Sequence, residues 1–131
     1  MIQRPKHAGL RHVALHVEDL EIVEKFYTDI LGFEPEWRPD EDSVYLSSGI
    51  DNLALHRVRG ESRAGFQTLD HMGIIIDDID EVSSWYEFMK SKDVLIHNEP
   101  KTHRDGARSF YCADPEGNNI QIIFHPPISG K

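Results

Sequence analysis

The sequence has little cysteine and no long apolar run, and each shortage excludes a class of protein. Its one cysteine, Cys112, leaves no partner for a disulfide within the chain, which is typical of a reducing cytoplasm. No unbroken apolar stretch reaches the roughly 18 residues that span a bilayer, and the N-terminus lacks the apolar segment of a secretory signal. We therefore expect a cytoplasmic chain that has no membrane partner.

Positive charge is also scarce. Lysine and arginine number 14 against 23 aspartates and glutamates, which gives a formal net charge of −9 at pH 7. Nucleic-acid backbones repel such a chain, so we expect no nucleic-acid partner. Hydrophobic residues make up 39% of the 131 residues, enough for a folded protein. The eight histidines stand out, because imidazole is the commonest metal ligand and titrates near neutral pH.

Two segments of the chain repeat one pattern. Residues 11–27 read RHVALHVEDLEIVEKFY, and residues 70–86 read DHMGIIIDDIDEVSSWY. In both segments a histidine opens an apolar run, an acidic residue closes it, and an aromatic pair follows. His12 and His71 are 59 positions apart, and so are the two aromatic pairs. This spacing predicts two copies of one structural unit.

Each copy predicts a strand, a helix and three further strands. The strands of the first copy are expected near 11–17, 33–38, 43–48 and 52–58. Those of the second copy are expected near 71–77, 94–98, 107–113 and 118–125. Asp19 precedes the first helix as an N-cap, and Asp78 or Asp80 precedes the second. The turn DPEGN at 114–118 is a strong reversal signal, and residues 60–67 connect the two copies.

The predicted fold is α+β. A copy of about 60 residues with one helix cannot bury a core well by itself, so the two copies are expected to pair. The modules are 9–60 and 68–126, two βαβββ units that together form one domain over 9–126. Their strands are expected to form a cupped mixed β-sheet with the helices on its outer face.

Strand alternation separates the side chains under the helices from those that line the cup. The apolar residues of each first strand take the helix side, so His12 and His71 face the cup. An offset of 65 between the two last strands places His56 opposite Gln121, and both face the cup. Three imidazoles and one amide from four strands suit a divalent transition metal. Each residue taken singly could be an ordinary exposed side chain, but the internal repeat favours a metal or catalytic site.

The segments HVALHVEDLEIVEKFYTDILGF and YCADPEGNNIQIIF resemble the vicinal oxygen chelate superfamily. That superfamily includes glyoxalase I, extradiol dioxygenases and bleomycin-resistance proteins, and the resemblance covers about 9–126. It implies a cup that holds a divalent metal (Fe, Zn, Ni or Mn) at the positions of His12, His56, His71 and Gln121. Ser109 and Tyr111 match positions that contact substrate in resistance enzymes of the family, and Arg108 is a candidate clamp for an anion.

Metal-using relatives usually have a glutamate at the position of Gln121. A neutral ligand set leaves the ion its full charge, which favours a chelating catecholate, α-oxo acid or enediolate and Lewis-acid chemistry. The expected function is a metal-dependent enzyme of the glyoxalase/dioxygenase type, a dioxygenase or a lyase. Tyr111, His16 and His125 are candidates for its proton transfers. The alternative is a metal-free protein that binds or sequesters a small molecule, as bleomycin-resistance proteins do.

A homodimer is the expected assembly. Single-chain relatives of this length usually pair, and the open edges of the predicted sheet need cover. The other expected partner is the small-molecule substrate.

Overall fold

The computed structural model describes residues 2–4, 6, 10–59, 69 and 71–130 of the chain. The chain divides into two compact units, Met1–Glu61 and Ser62–Lys131. The predicted connector at 60–67 lies outside the described residues. None of the helices in the described segments is long and apolar enough to cross a membrane.

The described residues of the first unit form a four-stranded mixed sheet and one α-helix, which continues into a π-helical turn. Its elements in chain order are β1 (His12–Val17), α1 (Leu20–Lys25), a π-helical turn (Phe26–Ile30), β2 (Glu34–Asp40), β3 (Ser43–Ser47) and β4 (Asn52–Arg57). The strand order across the sheet is β1-β4-β3-β2. The outer pair β1–β4 is parallel, whereas β3 runs antiparallel to both of its neighbours.

Local sequence signals explain both ends of α1. The Asp19 carboxylate accepts a hydrogen bond from the Ile22 backbone N–H at 3.2 Å, which confirms the predicted N-cap. At the other end the Leu31 N–H bonds to the Phe26 carbonyl, five residues back, so the last turn widens into a π-helix. Gly32 follows with a φ of 78°, a conformation that glycine adopts without a Cβ penalty.

The second unit repeats the strand, helix and strand order. Its elements are β5 (Met72–Ile75), α2 (Ile79–Ser91), β6 (Leu95–Ile96), β7 (Lys101–Thr102), β8 (Arg108–Ala113) and β9 (Asn119–Phe124). The order across the sheet is β5-β9-β8-β6, and β7 also pairs with β8. The outer pair β5–β9 is parallel, as β1–β4 is in the first unit. The prediction of an α+β fold with mixed β-sheet is confirmed, and the described residues form open mixed sheets with few helices. The strand β7 is a short addition that the sequence pattern did not predict.

The predicted reversal at 114–118 is held by a buried carboxylate. Asp114 is 4% exposed, and its side chain accepts from the backbone N–H groups of Glu116 and Asn118 and from the Asn118 amide. Gly117 takes a φ of 85° in the same turn. This turn fixes how β8 and β9 pair, and so it fixes which of their residues lie side by side.

The single cysteine belongs to the core of the second unit. Cys112 lies in β8 and is fully buried, as are Phe110, Ile120 and Ile122 on the same side of the sheet. Burial raises the pKa of the Cys112 thiol to about 12, and the nearby Asp114 carboxylate adds to the rise. Because the thiolate is the reactive form, this thiol is inert at neutral pH.

We predict that Cys112 resists a thiol-specific reagent in the native protein. At about pH 8 the folded chain should show no labelling over minutes, because the thiol is both buried and protonated. The same protein in concentrated guanidinium should release one equivalent of chromophore, since the chain has one cysteine. Fast stoichiometric labelling of the native protein would contradict the packing of β8 described above.

Candidate functional site

In the first unit, the polar residues on β1 and β4 lie on one face of the sheet. The parallel register pairs His12 with Asn52, Ala14 with Ala54, and His16 with His56. Residues paired in this way share a face, and every second residue along a strand returns to it. At the intervening positions Leu15, Leu53 and Leu55 are buried and Val13 is half-buried, in agreement with the predicted alternation.

The same register separates His12 from His56. His56 lies opposite His16, four residues further along the strand, which is about 13 Å at a rise of ~3.3 Å per residue. The His56 ring instead packs near His16 and Tyr45, with centroids 6.4 and 5.8 Å away, and its Nδ1 lies 2.9 Å from Ser43 Oγ. The register therefore places His56 beside His16 and not beside His12.

In the second unit, four of the predicted site residues form one cluster. Gln121 lies opposite Gly73 on one side and opposite Tyr111 on the other. The His71 ring packs edge-on against the Tyr111 ring, with centroids 5.4 Å apart. The Gln121 amide nitrogen donates to Ser109 Oγ at 3.1 Å. We call these four residues, His71, Ser109, Tyr111 and Gln121, the glutamine cluster.

Comparison of the two registers corrects one prediction. Gln121 pairs with Gly73, which is two residues after His71. The equivalent position in the first unit, two residues after His12, is Ala14, and Ala14 pairs with Ala54. The internal counterpart of Gln121 is therefore Ala54, and the predicted equivalence of His56 with Gln121 is wrong by two residues. Alternation fixes the face of a residue but not its position along the strand, and a slip of two residues keeps the face unchanged.

Three other predicted residues lie apart from the glutamine cluster. Arg108 points to the helix side of its sheet, where it donates to Ser83 Oγ on α2 at 3.1 Å and to Thr102 Oγ1 at 2.9 Å. His125 follows β9 four residues beyond Gln121, and its buried Nδ1 has no hydrogen-bond partner within the described part of the chain. His16 belongs to the first unit, beside His56. Of the three predicted proton-transfer residues, Tyr111 is the one that belongs to the glutamine cluster.

An open surface pocket that the sequence did not reveal adjoins the cluster. It has a volume of about 310 Å³ and is lined by His97, Asn98, Tyr111 and Asn119. The His97 N–H donates to the Tyr111 carbonyl, and the Asn98 side-chain oxygen accepts from the Tyr111 N–H. His97 continues the register of β6, so it shares the face of Tyr111. That strand is too short for alternation to identify the face from sequence.

The predicted ligands in the two units are imidazole and amide groups, which suit a divalent metal, and none of them is a carboxylate. Because the Gln121 amide nitrogen donates to Ser109, the side-chain oxygen is the atom presented to a ligand. His12 Nδ1 lies 2.8 Å from Asn52 Oδ1, so a bond at Nδ1 leaves Nε2 as the ligating nitrogen. Among the residues that the structure describes, no three His, Cys, Asp or Glu side chains gather in a way that could hold an ion.

Comparison with known proteins identifies the family of the chain. The family model of the Glyoxalase/Bleomycin resistance protein/Dioxygenase superfamily matches residues 9–122. The metallothiol transferase FosB of Staphylococcus haemolyticus is 27% identical over 116 residues, which cover 87% of this chain and 81% of FosB.

Solved structures share the fold. Lactoylglutathione lyase from Agrobacterium tumefaciens superposes with a TM-score of 0.77 at 23% identity, covering 95% of this chain and 98% of the lyase. The fosfomycin resistance protein FosX from Listeria monocytogenes gives a TM-score of 0.74 at 20% identity, covering 92% of this chain and 93% of FosX. The chain therefore belongs to the Glyoxalase/Bleomycin resistance protein/Dioxygenase superfamily, the vicinal oxygen chelate superfamily that its sequence resembles.

Proposed function

We propose that the chain is a metal-dependent enzyme that acts on a small substrate with two neighbouring oxygens. By the family correspondence, His12 of the first unit and His71 and Gln121 of the second are the protein ligands of one divalent ion. Ala54 occupies the internal counterpart of Gln121 and offers no donor atom, so we leave His56 out of the ligand set. Three protein ligands leave coordination positions for substrate oxygens or water.

The observation that carries the proposal is the orientation of Gln121. A glutamine that only faced solvent would have no need of a fixed amide. The Gln121 nitrogen, however, donates to Ser109 Oγ, and the residue lies on the face that also carries His71. An amide oxygen and neutral imidazoles are ligands that Zn²⁺, Fe²⁺, Ni²⁺ and Mn²⁺ accept. The ion would act as a Lewis acid on the substrate oxygens.

The remaining residues of the glutamine cluster have assignable roles. Ser109 orients the Gln121 amide, and Tyr111 contacts His71 while its phenol shares the face of Gln121. We assign the Tyr111 hydroxyl the proton exchanged with a bound substrate. The open surface pocket beside Tyr111 would hold the part of the substrate that does not chelate the ion, through the amides of Asn98 and Asn119.

Similarity to the metallothiol transferase FosB favours one reaction class for a first assay. A thiol transfer needs a nucleophilic sulfur, and Cys112 cannot supply it because it is buried with a pKa of about 12. The thiol would therefore be a second substrate. Consumption of a low-molecular-weight thiol with an electrophile that carries vicinal oxygens is the assay, alongside aerobic catechol cleavage. No turnover of either kind with metal present would reject these two reaction classes.

Removal of single histidines tests the ligand set. We predict that His12→Ala and His71→Ala each lower the affinity for Zn²⁺ or Fe²⁺ by about a hundredfold or more, because each removes one of three protein ligands. His56→Ala is the matched control, since it removes an imidazole from the face of the first sheet that also carries His12, and it should leave affinity within about twofold. Isothermal titration calorimetry with the folded variants measures these changes. Equal loss from all three variants would contradict the three-ligand set.

The substitution Gln121→Glu tests the neutral ligand. A carboxylate at bonding distance from a divalent cation should raise metal affinity by about tenfold or more, which is 1.4 kcal/mol or greater. The melting temperature should then rise with metal present, because an ion that binds only the native state stabilises it. With chelator present the variant should melt lower than wild type, since the carboxylate gains no counter-charge.

Asn119→Asp is the control for Gln121→Glu. It adds the same charge to the same face of β9 two residues earlier and should leave the metal affinity nearly unchanged. If Gln121→Glu lowers the melting temperature equally with metal and with chelator, that result would support the alternative function, a metal-free protein that binds or sequesters a small molecule.

We also propose that the protein is a homodimer. Large apolar side chains remain exposed on both units, among them Trp37 at 58% and Leu95 at 64%. Exposed apolar side chains of this size are common at surfaces that pair. Light scattering at micromolar concentration should give twice the chain mass of 15.1 kDa, and a monomer mass would overturn this proposal.

A further inference from the structure

His12 is the first member of a three-residue hydrogen-bond chain. Its Nδ1 lies 2.8 Å from Asn52 Oδ1, and the Asn52 amide nitrogen donates to Glu36 Oε1 at 2.8 Å. All three residues belong to the first unit, on strands β1, β4 and β2. We call this set the His12 relay.

The chemistry of the relay determines where the His12 proton is. An ionised carboxylate only accepts hydrogen bonds, so the Asn52 group that faces Glu36 must be the NH₂. The Asn52 carbonyl oxygen then faces His12 Nδ1, and because that oxygen only accepts, Nδ1 must carry the proton. In neutral imidazole one nitrogen donates and the other accepts, so the lone pair is at Nε2.

A β-bulge supplies the far end of the relay. On β2, Pro35 pairs with Leu46 and Trp37 pairs with Tyr45, which leaves Glu36 as the extra residue. In a bulge two residues oppose one partner, and the local change of direction re-aims a side chain. The Trp37 ring packs edge-on against the Tyr45 ring, with centroids 5.1 Å apart, while Glu36 reaches Asn52.

We propose that Asn52 and Glu36 are positioning residues that hold His12 as its Nδ1–H tautomer and present Nε2 to the metal. This inference deepens the proposed function and relies on it for the identity of the ligand. Loss of an outer-shell partner of a metal-binding histidine typically costs about 10- to 100-fold in metal affinity, so the relay should matter on that scale.

His56 is a built-in comparison for His12. Its Nδ1 also has a partner, the Ser43 hydroxyl at 2.9 Å. A hydroxyl donates or accepts equally well, so this contact does not determine the tautomer of His56. Changes in the relay should therefore alter the His12 ring signals and leave those of His56 as they are.

The test reads the tautomer directly in the metal-free protein. Long-range ¹H–¹⁵N correlation spectra of ¹⁵N-labelled protein, recorded at about pH 8.5 where an ordinary imidazole is neutral, distinguish protonated from unprotonated ring nitrogens. We expect Nδ1–H at His12 in the wild type. In Asn52→Leu, which cannot accept a hydrogen bond, the ring should shift toward the Nε2–H form that dominates in an unconstrained imidazole.

Two further variants separate positioning from folding. Glu36→Ala changes an exposed residue, so the fold should persist, and it should weaken the preference for Nδ1–H. The double variant Asn52→Asp with Glu36→Gln moves the negative charge from position 36 to position 52. The carboxylate at position 52 still accepts a hydrogen bond from His12, so His12 should retain Nδ1–H. Zn²⁺ affinity should fall about 10- to 100-fold in Asn52→Leu and recover in the double variant.

The outcomes for the relay and for the proposed function are distinguishable. A tautomer change in Asn52→Leu and Glu36→Ala supports the relay even if wild type binds no ion, in which case only the proposed function fails. Nε2–H at His12 in the wild type, or an unchanged tautomer in both variants, overturns the relay even if the ion binds. Zn²⁺ affinity within twofold of wild type in a folded Asn52→Leu variant overturns its role in metal binding.

Discussion

The parallel pairing of the first and last strands in each unit is the constraint on which the site depends. In the first unit this pairing places Asn52 beside His12, and in the second it places Gln121 beside Gly73, two residues from His71. A shift by one residue would turn each polar side chain to the helix side, and a shift by two would move it about 7 Å along the sheet. The buried leucines and isoleucines between the polar positions hold the register, because they have to remain in the core.

The two units have the same strand plan but contribute different chemistry. The second unit carries the glutamine cluster, in which Ser109 orients Gln121 and Tyr111 packs on His71. The first unit has Ala54 at the counterpart of Gln121 and instead carries the relay that fixes His12. With no carboxylate among the proposed ligands, an ion would bind more weakly and keep more of its charge for substrate oxygens. The orientation of each neutral ligand then matters more for metal affinity. Asn52 and Ser109 have parallel roles, because each holds the side chain of one proposed ligand by a hydrogen bond.

Much of the fold could be predicted from the sequence, because strong local signals specify it. The repeated histidine and aromatic spacing predicted two similar units, and Asp19 and the turn at 114–118 have the hydrogen bonds expected of them. The face of each site residue also follows from alternation. Position along the strand does not, because pairing depends on loop lengths and bulges, and this is why His56 was matched with Gln121 in error. His97 was missed for a related reason, since a two-residue strand carries no readable alternation.

The most direct test is the position of a bound ion in crystals soaked with Zn²⁺ or Fe²⁺, located by anomalous scattering at the metal absorption edge. The proposal predicts one ion at about 2.0–2.2 Å from His12 Nε2, from a ring nitrogen of His71 and from the Gln121 side-chain oxygen. His56 should remain on Ser43, outside the coordination sphere. An ion bound by His16 and His56, or ions found only on surface histidines, would contradict the proposed site.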